Sequence, residues 1–303
     1  MTSDPAGQAV RLAHFSDIHI TAPTFRWQSG DYFTKRLPGW INYRWLGRRH
    51  RFRDADQVLR ALVKDLHART PDRVIFSGDA TALGFEEELA EAAAILGSSP
   101  SLPGLAVPGN HDYYTPAVAR SGLFERYFGS WQEGIRVAEA VYPFAQRVGS
   151  VWLVAVNSAT GNRWFWDASG GIDSQQLARL ATLLQSLEAG PRVLVTHYPV
   201  CLADGQPERT NHGLRNLTDL VAVAEKGRIC LWLHGHRHGF YCVPSAPAAS
   251  FPIICAGSAT QHGLWSYGEY TLVGRRFHGM RRNYSTAADG FQNAEEFDLD
   301  LRF

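Results

Sequence analysis

Five short apolar runs, at residues 10–15, 73–76, 105–107, 192–195 and 228–233, each lead into a cluster of Asp, Asn or His side chains. Runs this short, with almost no polar alternation, read as strands buried on both faces. Between the first three lie segments of helical period. Val58, Leu59, Leu62, Val63 and Leu66 recur after Asp54, a candidate N-cap, and a second helix is expected over 86–96. Strand and helix in alternation predict a largely parallel sheet, which sets the loops at the carboxyl ends of its strands side by side. With 303 residues and 45% apolar content, the chain can bury one large α/β domain or two smaller ones.

The strand ends supply a consistent set of donors. The first run delivers Ser16-Asp17-Ile18-His19, and a period of two points Asp17 and His19 to one side. The second ends in Ser77-Gly78-Asp79, where the glycine lets a loop or an ion approach the backbone. The third passes Pro108 into Gly109-Asn110-His111-Asp112. The fourth reaches Thr196-His197-Tyr198-Pro199 and the fifth His234-Gly235-His236-Arg237-His238. In an extended segment the rings of His236 and His238 face one way. Asp17, His19, Asp79, Asn110, His197, His236 and His238 together offer three or four ligands to each of two adjacent cations, with Asp79 bridging through both its oxygens. Mixed nitrogen and oxygen donors suit two divalent ions of the borderline class, manganese first, with iron, zinc or cobalt as alternatives.

In this order, Asp-x-His, Gly-Asp, Gly-Asn-His-Asp, His and Gly-His-x-His, the motifs resemble those of the calcineurin-like metallophosphoesterases across residues 12–238. The resemblance implies a four-layer αββα sandwich of two mixed β-sheets, with strands near 240–243, 253–256 and 270–282 completing the second sheet. It implies one metal held by Asp17, His19, Asp79 and His238 and a second by Asp79, Asn110, His197 and His236. His111 is then a catalytic residue that stabilises or protonates the leaving group, with Asp112 orienting its ring. A metal-bridging hydroxide serves as the nucleophile in that scheme, and the two ions clamp the phosphoryl oxygens. One departure stands out: many relatives carry Asp or Asn where this chain has Ala82.

The domain is expected to span 10–284, followed by a C-terminal tail over 285–303. Residues 25–53 form a basic and aromatic insert with eight Lys or Arg against the single acid Asp31. Such a mixture suits a phosphorylated group attached to something apolar or stackable. Arg48, Arg49 and Trp45 of the insert, with Trp164 of the aromatic loop 162–167, are the candidate substrate contacts, and His212 and His262 are further ones. The insert favours a lipid-linked or nucleotide phosphodiester. UDP-2,3-diacylglucosamine is the example suggested by the pyrophosphatases within the same resemblance. A 3',5'-cyclic nucleotide phosphodiesterase and a non-catalytic metal-bearing scaffold for a phosphorylated partner or membrane are the alternatives.

A formal charge of +1 does not advertise a nucleic-acid partner. The four cysteines have no CxxC spacing and fit reduced core thiols. The first ten residues carry no apolar signal segment, and no apolar run approaches the length of a spanning helix. These features predict a cytoplasmic protein with peripheral contact to the inner face of a membrane.

Overall fold

The computed structural model describes residues 8–97 and 102–303. Residues 1–7 and 98–101, the latter in the Ser/Pro-rich link that follows Gly97, fall outside the described residues. In chain order the strands are β1 (Val10–Phe15), β2 (Arg73–Phe76), β3 (Gly104–Ala106), β4 (Phe144–Val148), β5 (Val151–Ala155), β6 (Arg192–Val195), β7 (Leu231–His234), β8 (Phe240–Val243), β9 (Ile253–Ala256), β10 (Ser266–Val273), β11 (Arg276–Ser285) and β12 (Gly290–Asp300). They form two six-stranded sheets, ordered β12-β11-β10-β1-β2-β3 and β4-β5-β6-β7-β9-β8. Within them β1, β2 and β3 run parallel, as do β5, β6, β7 and β9. The remaining pairings are antiparallel, so both sheets are mixed.

Strand periodicity explains the four layers. On β1, Ala13 and Phe15 turn outward onto α3 (Ala55–Arg69) and α4 (Glu86–Leu96), where they meet Leu59, Leu62 and Leu89. Val10 and Leu12, on the other face, pack between the sheets against Phe144, Leu153 and Leu231. The second sheet repeats the arrangement: Trp152 and Val154 face α7 (Ser174–Ser186) and α8 (Leu217–Lys226), and Val151, Leu153 and Ala155 face inward. Each central strand is therefore apolar on both faces, which is why the runs lack alternation. Asp173 caps α7 by accepting from Gln176 N at 2.7 Å. Asp54 does not cap α3 with its side chain, which pairs with His262 at 2.9 Å.

Three expectations are corrected. The strand expected over 270–282 is two strands, β10 and β11, joined at Gly274, whose φ of 57° permits the reversal. These strands extend the first sheet, because β10 pairs with β1; they do not complete the second. The stretch expected as a tail holds β12, paired along β11 at the sheet edge. Among the described residues, no helix is long and apolar enough to cross a membrane.

Candidate metal centre

All seven donors predicted from the sequence meet where the carboxyl ends of the two sheets abut. Their loops are fastened to one another by main-chain bonds: Asp17 N donates to Gly78 O at 2.9 Å, His19 N to Asp79 O at 3.0 Å and Gly235 N to His197 O at 3.1 Å. Asp17, His19, Asp79, His236 and His238 have φ between 42° and 70°. A non-glycine residue in this left-handed region costs roughly 1 kcal/mol. Strain gathered at five neighbouring donors marks a site whose geometry the surrounding fold imposes. The glycines between them are required by close approach: a Cβ on Gly109 would stand 2.1 Å from Asp79 Oδ1, and one on Gly235 1.9 Å from Ser16 Oγ.

This backbone also corrects how the donors point. The segment around His236 and His238 is a tight turn and not an extended strand, so the rings diverge. His238 turns to Asp17 and His19, whereas His236 Nδ1 lies 3.0 Å from Asn110 Oδ1. Asp79 does not offer both oxygens. Its Oδ1 accepts from His111 N at 2.7 Å, and Oδ2 alone faces the site, 3.7 Å from His19 Nε2 and 3.5 Å from His197 Nε2.

The hydrogen bonds fix which ring nitrogens carry lone pairs. His19 Nδ1 donates to Thr81 O at 2.9 Å, His197 Nδ1 to Ser77 O at 2.8 Å, and His238 Nδ1 to the Gln261 side-chain oxygen. Each of these rings therefore presents an unprotonated Nε2 to the centre. His19 Nε2 and His238 Nε2 stand 3.2 Å apart, and Asp17 Oδ1 is 3.3 Å from the latter. On the other side His197 Nε2 lies 3.1 Å from Asn110 Oδ1 and 3.3 Å from His236 Nδ1. Lone pairs facing one another at these distances repel unless a cation lies between them. Donors ~2.1 Å from a common ion sit ~3.0 Å apart at an octahedral edge and ~3.4 Å apart at a tetrahedral one, which matches the observed spacings. Asp17 Oδ1 is buried without a hydrogen-bond donor. Burial, then the Asp17 charge, push the Asp79 carboxyl well above its ordinary value, as expected of a carboxylate enclosed beside a second one. The donor set fits two divalent cations.

His111 and Asp112 behave differently from expectation. The Asp112 carboxylate does not reach the His111 ring. It accepts from the main-chain N–H groups of Asp79, Ala80, Thr81 and Gly109 at 2.8–3.1 Å, knotting the Asp79 and Asn110 loops together. The His111 ring is oriented by Ala82, whose carbonyl accepts from Nδ1 at 2.7 Å. Burial, then the Arg48 guanidinium, hold the His111 imidazole well below the usual histidine range. Its Nε2 lies 3.0 Å from Arg48 Nη2.

A cavity of about 270 Å³ opens over the donors, lined on one side by Asn42, Leu46, Arg48, Arg51 and Phe52 and on the other by Ala168 and His212. Of the candidate substrate contacts, Arg48 and His212 are in its wall. Trp45, Arg49 and Trp164 are not: Trp45 and Trp164 stand exposed to solvent, and His262 is engaged by Asp54. A larger cavity of about 650 Å³ lies between the insert and α4, and contains none of the seven donors. Gln261 was not foreseen. It follows β9 in a loop whose Ser258 and Thr260 hydroxyls donate to Asp17 O and Ile18 O, so a polar turn after a buried strand was the available signal.

Adding manganese to chelator-treated protein is expected to raise the melting temperature by roughly 5 °C at a hundredfold excess over Kd, since binding to the native state alone contributes about 2.7 kcal/mol there. Differential scanning fluorimetry reads this, and an unchanged melting temperature would contradict a preformed site.

Comparison with known proteins agrees with this geometry. The family model for calcineurin-like phosphoesterases matches residues 10–240. Among solved structures, a dimetal phosphatase from Danio rerio superposes with a TM-score of 0.66 at 14% identity, covering 97% of this chain and 99% of that one. The purple acid phosphatase PPD1 from yellow lupin seeds gives 0.62 at 14% identity, over 98% of this chain and 55% of that one. GAP50, the anchor in the inner membrane complex of Plasmodium, gives 0.55 at 11% identity, over 97% and 90%. No curated protein matches the sequence significantly. Matched by the family model along most of its length, the chain belongs to the calcineurin-like phosphoesterases and is a metal-dependent phosphoester hydrolase.

Proposed function

We propose that the seven donors hold two divalent ions, that Arg48 binds the phosphoryl group of the substrate, and that His111 acts on the leaving oxygen. When bound, the ions supply Lewis acidity toward the phosphoryl oxygens and lower the pKa of a water at the centre. Asp17, His19 and His238 gather on one side, and Asn110, His197 and His236 on the other, with Asp79 Oδ2 between them.

The observation that carries the substrate reading is Arg48. Its Nε is buried without a partner, and its Nη2 rests on His111 Nε2, itself beside His19. No carboxylate among the described residues pairs with this guanidinium, and burial lowers its pKa. A cation held next to a site for cations is stabilised by an anion shared between them, and a guanidinium matches phosphate oxygens in pairs. Without substrate the neutral His111 ring accepts at Nε2 from Arg48; an anionic phosphoryl group on Arg48 favours the protonated ring, whose Nε2–H can then pass to the departing oxygen.

A cavity of about 270 Å³ takes the phosphoryl group and its nearest atoms, so the rest of a larger phosphoester lies over the rim. This supports a phosphodiester or pyrophosphate whose bulk stays outside, a class within which UDP-2,3-diacylglucosamine is not singled out. Trp164 stacks on Trp166 at 5.1 Å, face to face, which leaves no slot between them for a nucleotide base. Four unpaired cysteines suit a reducing compartment and support a cytoplasmic placing.

Arg48→Ala is expected to lower kcat/KM for bis(p-nitrophenyl) phosphate about 10- to 100-fold, the loss of a charged hydrogen bond, and to weaken inhibition by inorganic phosphate. Arg48→Lys recovers part of this. Steady-state kinetics with phosphate as inhibitor provide the test, and unchanged phosphate inhibition in Arg48→Ala would exclude the contact.

A further inference from the structure

Eight of the thirteen large apolar side chains exposed among the described residues fall in two short segments, 32–46 and 164–166. Exposed apolar residues scattered singly need no explanation, but a concentration does. Helix α1 (Arg36–Trp45), with the residues leading into it, is inverted for a surface element. Lys35 and Arg36 are buried beneath it, Arg36 bonded to Asp31 and to the carbonyls of Leu83 and Gly84. Its Ile41 and Trp45, one turn apart, point to solvent with the neighbouring Phe33 and Leu46; Phe33 is 92%, Trp45 75% and Leu46 73% exposed. Across the mouth, Trp164, Phe165 and Trp166 are also exposed, and the Arg163 guanidinium lies 5.2 Å over the Trp164 ring. Asn42 and Leu46 line the metal cavity from one side and Ala168 from the other, so both apolar groups flank the same opening.

The exposed charge around this rim is basic; the one acid beside the aromatic loop, Asp167, is half-buried, its Oδ1 accepting from Ser169 N and Oγ. Arg44, Arg49, Arg51 and Arg163 are exposed, and none is ion-paired among the described residues. The insert's single acid, Asp31, is buried against Arg36. We propose that the rim is a docking surface for an anionic lipid bilayer. Its Trp, Phe, Ile and Leu side chains enter the interface and its arginines lie among the lipid phosphates, so that the metal cavity opens toward the membrane. Tryptophan is favoured at such interfaces, and apolar insertion joined to basic attraction gives stable peripheral binding where either alone is weak. A second copy of the chain fits less well, since a two-fold contact through this patch would set the same four arginines against each other.

The proposal goes beyond the phosphoester reading, and its test uses no substrate, so failure of either leaves the other standing. The full chain is sedimented with vesicles of phosphatidylcholine alone and of phosphatidylcholine mixed with phosphatidylglycerol. Binding to the anionic vesicles is expected to be at least about tenfold tighter than to neutral ones and to fall with salt. Phe33→Glu/Trp45→Glu and Arg44→Glu/Arg163→Glu are each expected to lose at least about tenfold in partitioning, with melting temperatures unchanged as the check on folding. Absence of wild-type binding to anionic vesicles would overturn the proposal. So would binding at the wild-type level by both variants, or a wild-type dimer in light scattering that Phe33→Glu/Trp45→Glu converts to monomer without any effect on vesicles.

Discussion

Asp79→Ala is expected to lower kcat by on the order of 10³-fold or more, since losing even one preorganised group that stabilises the transition state costs 10²–10³ and this side chain serves several purposes. Its Oδ2 is the one carboxylate oxygen lying between the His19 and His197 nitrogens, at 3.7 Å and 3.5 Å. Its Oδ1 holds the main-chain N–H of His111, so the same truncation also frees the loop that carries the leaving-group residue. Asp79→Asn separates the two effects. It keeps an oxygen for His111 N but removes the negative charge that two cations share. Both variants are expected to bind fewer ions by elemental analysis and both to be inactive. Asp79→Asn is expected to melt closer to wild type, because its loop contact survives. A variant that keeps full metal content and turns over within tenfold of wild type would show that Asp79 is not the shared ligand.

His111→Ala is expected to cost about 10²–10⁴-fold on substrates with poor leaving groups, the usual contribution of a positioned proton donor. On p-nitrophenyl esters, whose leaving group departs as a stable anion, the loss is expected to be much smaller. Although the ring lies within reach of His19 and Asp79, we propose that it is not a metal ligand, because Nδ1 is committed to Ala82 O and Nε2 to Arg48 at the cavity wall. Metal content is therefore expected to stay at the wild-type level, which distinguishes this variant from Asp79→Ala. Measuring kcat/KM across aryl and alkyl phosphodiesters reads the effect as a steeper dependence on leaving-group pKa. An equal loss on all leaving groups would assign His111 a binding or structural role.

The identities of the donors were legible because a metal site at strand ends needs only residue type and order, and both are linear in the sequence. Their directions were not. Period-two reasoning holds along β1 and β7 but stops where Asp17, His19, His236 and His238 turn into the left-handed region. It therefore aimed His236 and His238 at one point when they serve opposite sides of the centre. Asp112 was misread for a related reason. Adjacent to His111 in sequence, it is engaged by four main-chain N–H groups, three of them from the loop after β2. Nothing local to Gly109-Asn110-His111-Asp112 shows that those donors are there.

In the fold, the buried strands were plain from their unbroken apolar runs, and both edge errors arose where that signal fades. Strand β12 exposes most of its side chains and carries Glu295, Glu296, Asp298 and Asp300, so its polarity resembles that of a tail. Its pairing with β11 is held by main-chain bonds that composition does not reveal. The insert's composition pointed correctly to a mixture of cationic and apolar surface. Only the structure divides it, sending Arg48 into the cavity and leaving Trp45 and Arg49 outside.

The central claim is that the seven donors hold two divalent ions that make the chain a working phosphoesterase. The most direct test is to strip the protein of metal, titrate it with manganese, and follow bound ions per chain together with hydrolysis of bis(p-nitrophenyl) phosphate. Metal-free protein is expected not to turn over, turnover is expected to be complete on reaching two ions per chain, and Asp79→Ala is expected to reach neither. Two ions bound without turnover, with manganese and equally with iron, zinc and cobalt, would contradict it and make the centre one that binds without catalysing.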